Sequence, residues 1–296
     1  MSLKVSETTK DYLINAPLPT HGKSYTVVSH QQVIDNTLKL LTDSGFEVER
    51  EMYRASLNAN VAQGIYHIKP LNTSDTDILN EEEVGMMFAW TNSYDKSVRF
   101  QSAIGGYVAV CHNGMLCGEI NYARKHTGSA DNEIRMHISN QVKNAEKHFK
   151  EVINVKNSLR GITLNKKEQA EFLGRMLITE KIISPTQLSS IVKEMDKPSY
   201  DYQCDQENAW AFYNHVTHGL KDSHPRTWMS DTEKFHKFIT ADLLAQMGIQ
   251  KKDIDWSQAE TLQDPTLIDI EDGDGEVYER VNVDSKVEIH TAFHLG

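Results

Sequence analysis

The stretch Val84–Gly118, VGMMFAWTNSYDKSVRFQSAIGGYVAVCHNGMLCG, decides how this chain folds. It holds two apolar runs, Val84–Trp90 and Ile104–Cys111, rich in Val, Ile, Phe, Tyr and Trp and too short to span a membrane. Both read as buried strands. Thr91–Ser97 between them and His112-Asn113-Gly114 after them are small, polar and turn-forming, which suits hairpins. The order predicts a meander of three or more antiparallel strands flanked by amphipathic helices.

Upstream, Pro17 and Pro19 break a polar leader, and a short strand is predicted at Ser24–Val28. Ser29 stands at an N-cap position before Val33, Ile34, Thr37, Leu38 and Leu41 at helical spacing, and Gly45 supplies the stop. Val48, Arg50, Met52 and Arg54 alternate with Glu47, Glu49, Glu51 and Tyr53, which predicts an exposed strand. Asn58-Ala59-Asn60 turns it into a second strand, Val61–Ile68. Residues 70–83, PLNTSDTDILNEEE, are polar and acidic and predict a mobile loop. Downstream, Ile134, Ile138, Val142, Ala145, Phe149, Val152 and Leu159 mark one face of a single long helix over Asp131–Leu159. Shorter helices are predicted at Lys166–Thr179, Thr186–Glu194, Glu207–Leu220 and Asp231–Met247. The fold class is α+β: an antiparallel β-meander followed by a long helix, a β-β-β-α-like core, with a helical C-terminal half. The expected organisation is an N-terminal arm over 1–28, a main domain over 29–249 and an acidic C-terminal appendage over 250–296. Within the main domain the sheet core falls in 46–118 and the helical part in 129–249.

Asn92-Ser93-Tyr94-Asp95-x-Ser97, then Val110-Cys111-x-Asn113-Gly114-Met115-x-Cys117-Gly118 and His126-Thr127-Gly128, resemble the signature of the domain of unknown function 932 family, the phage/plasmid-like proteins. Matching pieces flank it: Pro19-Thr20-His21 with Tyr25-x-Val27-Val28 upstream, and Trp210-x-Phe212-Tyr213-Asn214-x-Val216-Thr217 downstream. The resemblance spans roughly residues 17 to 245. The chain departs from it at Val108, where relatives usually carry an Arg three residues before the first Cys. The resemblance implies a protein of a phage, prophage or plasmid; the family's name assigns no activity. The element order also resembles the β-β-β-α core of Rad52-type single-strand annealing proteins, which implies assembly on DNA.

The 296 residues suffice for one sizeable core. A polar Met1–Lys10 and the absence of any run of ~18 apolar residues predict a cytoplasmic protein with no membrane partner. Three cysteines fit a reducing compartment rather than a disulfide framework. The net charge of −11 is unevenly spread. Residues 250–296 hold four basic against twelve acidic residues, whereas residues 121–167 hold ten against four. A basic middle and an acidic end follow.

Cys111 and Cys117 with His112, and His215, His218 and His224 with Asp222, have metal-ligand residue types. The C-x5-C spacing is wider than the two to four residues of a structural zinc site and no second pair is present, whereas His215 and His218 would share one helix face, as metal ligands can; core packing explains both sets. Gly22-Lys23-Ser24 lacks the leading glycine of a phosphate loop, Asp269–Glu276 lacks the ligand positions of a calcium loop, and no nucleophile elbow is present. No cofactor or metal is therefore expected, and the reading leans away from an enzyme. Asn92, Ser93, Tyr94, Asp95 and Asn113 read as turn-stabilising residues or as a polar rim at one end of the sheet.

Arg124, Lys125, Arg135, Lys143, Lys147, Lys150 and Lys156 are the candidate phosphate-binding residues, with Tyr94, Phe100 and Tyr107 as stacking surfaces where exposed. The resulting expectation is a self-associating, non-catalytic protein that binds single-stranded DNA in a basic groove between sheet and long helix. The alternative from another class is an inhibitor that lays its acidic segment against a host nuclease or helicase complex.

Overall fold

The computed structural model describes residues 6–20, 27–116, 121–122, 130–246, 267–271 and 277–282. The chain divides into two compact units, Met1–Gln246 and Met247–Gly296.

The first unit is built on one antiparallel sheet in the order β1-β2-β3-β4-β5-β6, with β7 also on β5. Its strands are β1 (Ser6–Thr8), β2 (Phe46–Ala55), β3 (Val61–Pro70), β4 (Val84–Ser93), β5 (Gln101–Val108), β6 (Gly114–Met115) and β7 (Asn121–Tyr122). Consecutive strands pair with their neighbours, so the meander read from Val84–Gly118 extends over the whole sheet. Tyr66 faces Phe88 and Phe88 faces Ile104, in register, on one side. That side carries the main core, joined by Val33, Ile34 and Leu41 of α2 (His30–Asp43), by Ile134 and Ile138 of α4 (Ala130–Lys143), and by Phe149 and Val152 of α5 (Ala145–Arg160). On the other side Ile65, Met87, Ala89 and Ala103 pack beneath Leu116, Trp228 and Met229. Burial on both faces is why β3 and β4 read as near-continuous apolar runs instead of alternating ones.

Local signals act as read. The Ser29 hydroxyl accepts from Gln32 N and the Gln32 side chain accepts from Ser29 N, closing a capping box on α2. Gly45 adopts φ +83, the left-handed conformation that ends the helix. Asn58 and Ala59, at φ 72 and 52, form the turn between β2 and β3. Gly64 leaves room for the Trp90 indole, which a Cβ there would meet at 2.4 Å, and Trp90 Nε1 donates to Tyr66 Oη at 3.0 Å.

Several expectations are corrected. The run 131–159 is two helices, α4 and α5, parted at Asn144. The Asn144 backbone sits at φ −100, ψ 9, and its side chain donates back to Asn140 O at 3.0 Å, a local bond that competes with the helix. Residues 70–83 contain a short helix, α3 (Thr76–Leu79), and are tied down by ion pairs to α5. Part of the expected arm belongs to the domain: β1 pairs with β2, and Leu13 of α1 (Lys10–Ile14) is fully buried. Val27 and Val28 form no strand, and residues 24–26 lie outside the described residues.

The helical half contains α6 (Lys166–Ile178), α7 (Pro185–Asp196), α8 (Ala209–Leu220) and α9 (Trp228–Gln246). Nearly every residue of α8 is buried, Trp210, Phe212, Tyr213 and Val216 among them. In the second unit, β8 (Leu267–Glu271) pairs antiparallel with β9 (Val277–Asn282). Of the acidic run 269–276, residues 272–276 lie outside the described residues.

Candidate functional site

The basic run was expected to line a groove between sheet and helix. Helix α5 lies directly on the sheet at Gly106, where a Cβ would meet Val152 at 2.6 Å, so the two surfaces touch there. Lys156 points inward, its side chain 8 % exposed, and its ammonium donates to both oxygens of Glu81 at 2.8 Å, with Glu83 at 3.5 Å. Arg160 reaches Glu83 through Nε and Nη2, each at 2.9 Å, and donates to Tyr202 O. Lys150 pairs with Asp75, whose carboxyl is held below its ordinary range by that contact. The acidic segment 75–83 is thus the counter-charge of the C-terminal half of the basic run. Arg135 and Lys143 are exposed and Lys147 is half-buried; none of the three forms an ion pair among the described residues. Arg124 and Lys125 lie outside the described residues.

The motif residues join elements. Asn92 is fully buried at the end of β4, and its amide donates to Val28 O at 3.1 Å and to His30 Nδ1 at 3.0 Å. His30 Nε2 in turn donates to Ala59 O at 2.8 Å, which fixes the neutral tautomer. Burial holds the His30 pKa down at about 4. Tyr94 stacks on His30, ring centroids 3.8 Å apart, and its hydroxyl accepts from His30 N at 2.8 Å. Ser93 Oγ donates to Val98 O at 2.8 Å, and Asp95 accepts from Ser97 N at 2.9 Å, so the pair shapes the β4–β5 turn. Asp95 also meets Arg226 at 3.2 Å. Asn113, fully buried, donates to Asn214 O at 3.0 Å and ties the β5–β6 turn to α8. Asn92, Ser93 and Asn113 therefore present no side chain to solvent, and Tyr94 is 5 % exposed.

Of the expected stacking rings, Phe100 and Tyr94 are buried and Tyr107 is half-exposed. Tyr107 crosses Gly85, where a Cβ would meet the ring at 2.4 Å, and stacks on His67 at 3.5 Å between centroids. His112 stands 5.2 Å from His67, exposed, at φ 56. Burial, His112 and Arg50 lower the His67 pKa to about 3. This His67–Tyr107–His112 ring cluster on the second sheet face had no signal in the sequence beyond Tyr107, because it depends on the pairing of three strands.

The two metal-type sets regroup. Cys111 is buried, and burial pushes its thiol up. Lys221 on the connection after α8 donates to Cys111 O at 2.5 Å. His218 faces the buried Glu194 at 3.8 Å, and Ser199 donates to the same carboxylate from Oγ at 2.7 Å and from N at 2.9 Å. His215 bonds Gln206 at 3.1 Å and is held near pKa 4 by burial. His224 and Asp222 lie elsewhere, on the wall of a cavity. Among the described residues no three His, Cys, Asp or Glu side chains stand together as a metal site would require, and the Cys117 side chain is not among them.

Comparison with known families matches residues 17–241 to the domain of unknown function DUF932. The chain belongs to this family. No curated protein matches the chain, and no solved structure matches it. In this DUF932 chain the matched region ends within α9, so the second unit lies outside it. No helix of the described residues is long and apolar enough to cross a membrane.

Proposed function

We propose that this chain is a non-catalytic, self-associating binder of single-stranded nucleic acid, serving the DNA metabolism of a mobile element such as a phage or plasmid. The observation that carries the reading is the outward face of α4 and the start of α5, where Arg135, Lys143 and Lys147 stand without carboxylate partners among the described residues. Lys150 and Lys156 leave the footprint, since Asp75, Glu81 and Glu83 neutralise them. Each phosphate contacted by single-stranded nucleic acid contributes ~0.7 to the slope of log affinity against log salt. The three described contacts give a slope of about 2, Arg124 and Lys125 with them would give about 3.5, and the seven expected from sequence would give about 5.

A gel shift with an oligodeoxynucleotide over a salt series tests this. Replacing Arg135, Lys143 and Lys147 together by Gln should lower the salt slope by about 2, and Lys156→Met, if folded, should leave the slope as it was. A slope unchanged by the triple replacement refutes the reading. The pairing of the C-terminal half of the basic run favours a second reading, the inhibitor of a host defence or DNA-processing complex. Absence of any salt-sensitive shift, with a host nuclease or helicase retained on the immobilised chain, selects it.

A further inference from the structure

A cavity of about 430 Å3 opens where the α6–α7 connection and the first turn of α7 meet the α8–α9 connection and the first turn of α9. That volume falls in the range of small-molecule sites, ~300–1,000 Å3. The cavity lining is mainly polar, because Ile182 and Ile183 turn their side chains into the main core and are almost wholly buried. Asp231 and the exposed Asp222 share it with the exposed Lys181 and the half-buried His224.

Asp231 differs from the other enclosed carboxylates. Glu81 is held by Lys156, Glu83 by Arg160, Asp242 by Arg175, and Glu194 faces His218. Asp231 has no ion pair among the described residues; Lys234, on its own helix, acts on it only through space. Its carboxylate is nevertheless fixed. Gln187 Nε2 donates to Ser223 Oγ at 2.7 Å, which leaves the Ser223 hydroxyl hydrogen to bond Asp231, and Thr227 bonds it as well. Burial works against the charge and raises the Asp231 pKa. Its place in the first turn of α9 favours a negative group, which explains why the charge is tolerated there but not the open space in front of it. A concave site with an oriented carboxylate lacking its counter-ion is complementary to a cation. Two carboxylates outweigh the one ammonium, Lys181, which pairs with neither among the described residues, and burial lowers the His224 pKa, so an anion is disfavoured; the ligand set needed for a bare metal ion is missing among the described residues.

We propose that this cavity binds a small organic cation, an amine or guanidine, with its charged end on Asp231 and Asp222 beside it. Calorimetric titration of the full chain with putrescine and agmatine tests it, with 1-butanol as the neutral control. One-site saturable binding of an amine and none of the alcohol is expected. Asp231→Asn should weaken binding at least roughly tenfold, ~1.4 kcal/mol. Ser223→Ala, which keeps the carboxylate but loses a bond that orients it, should weaken binding by a smaller factor and serves if Asp231→Asn fails to fold. No saturable heat at millimolar amine overturns the proposal. Binding that is equal in wild type and in whichever variant folds also overturns it, since the attraction is then only that of a chain with net charge −11.

Discussion

Replacing Lys156 by Met should damage the fold and spare any binding of nucleic acid. The Lys156 ammonium is enclosed with Glu81, whose side chain is 7 % exposed and whose Oε1 also accepts from Glu83 N at 3.0 Å and Val84 N at 3.2 Å. Met matches the Lys stem, so little packing is lost and the main effect is an enclosed carboxylate without its cation. Breaking one side of a buried ion pair costs about 3–5 kcal/mol. For a domain of this size each kcal/mol lowers Tm by about 2–4 °C, so the midpoint should fall by roughly 6–20 °C. The double replacement Lys156→Met with Glu81→Gln removes both charges but keeps an oxygen for the two backbone N–H groups. It should recover most of the loss, because the penalty lies in the orphaned charge more than in the pair. Thermal unfolding by circular dichroism on the four proteins of the cycle gives the coupling. If the single Lys156 variant melts within a degree or two of wild type, the segment 75–83 is not anchored through this contact, and Lys156 returns to the list of free cations.

Two further outcomes follow from the buried polar groups. His30, His215 and His236, held near pKa 4 by burial, and His67, near 3, stay neutral in the fold while the unfolded chain protonates them below about pH 6.5. The unfolded state then binds more protons, so stability is unaffected above pH 6.5 and drops as pH falls from 6.5 towards 4, each group contributing up to ~1.4 kcal/mol per pH unit. A melting temperature that is flat from pH 7 to 4.5 contradicts this. Asn92→Leu strands Val28 O and His30 Nδ1 as unpaired acceptors and should cost about 2–4 kcal/mol, whereas Asp95→Asn, which loses a partly exposed pair with Arg226, should cost about 1 kcal/mol or less in urea unfolding. Equal effects would place the weight of the motif in the turn instead of in the Asn92 contact.

The antiparallel meander, the α2 caps and the positions of most helices were legible in the residues alone, because those depend on residue period, capping side chains and turn chemistry within a few neighbours. The sequence also carried the family membership, through the Asn92–Ser97 and Val110–Gly118 motifs. Which lysines find a counter-charge depends on long-range contacts. Lys143 lies off the apolar stripe and Lys156 on it, seven residues after Phe149 and three before Leu159, but only the fold brings Glu81, 75 residues before Lys156, against its ammonium. The break at Asn144 escaped the periodicity because one interrupted residue leaves the apolar stripe in place on both sides. Asn92 and Asn113 read as surface turn residues because their partners, Val28, His30 and Asn214, lie 62 to 101 positions away. The cavity before Asp231 joins two connections that are far apart in the chain, and long-range pairing of charge and hydrogen bonds leaves no local pattern to read.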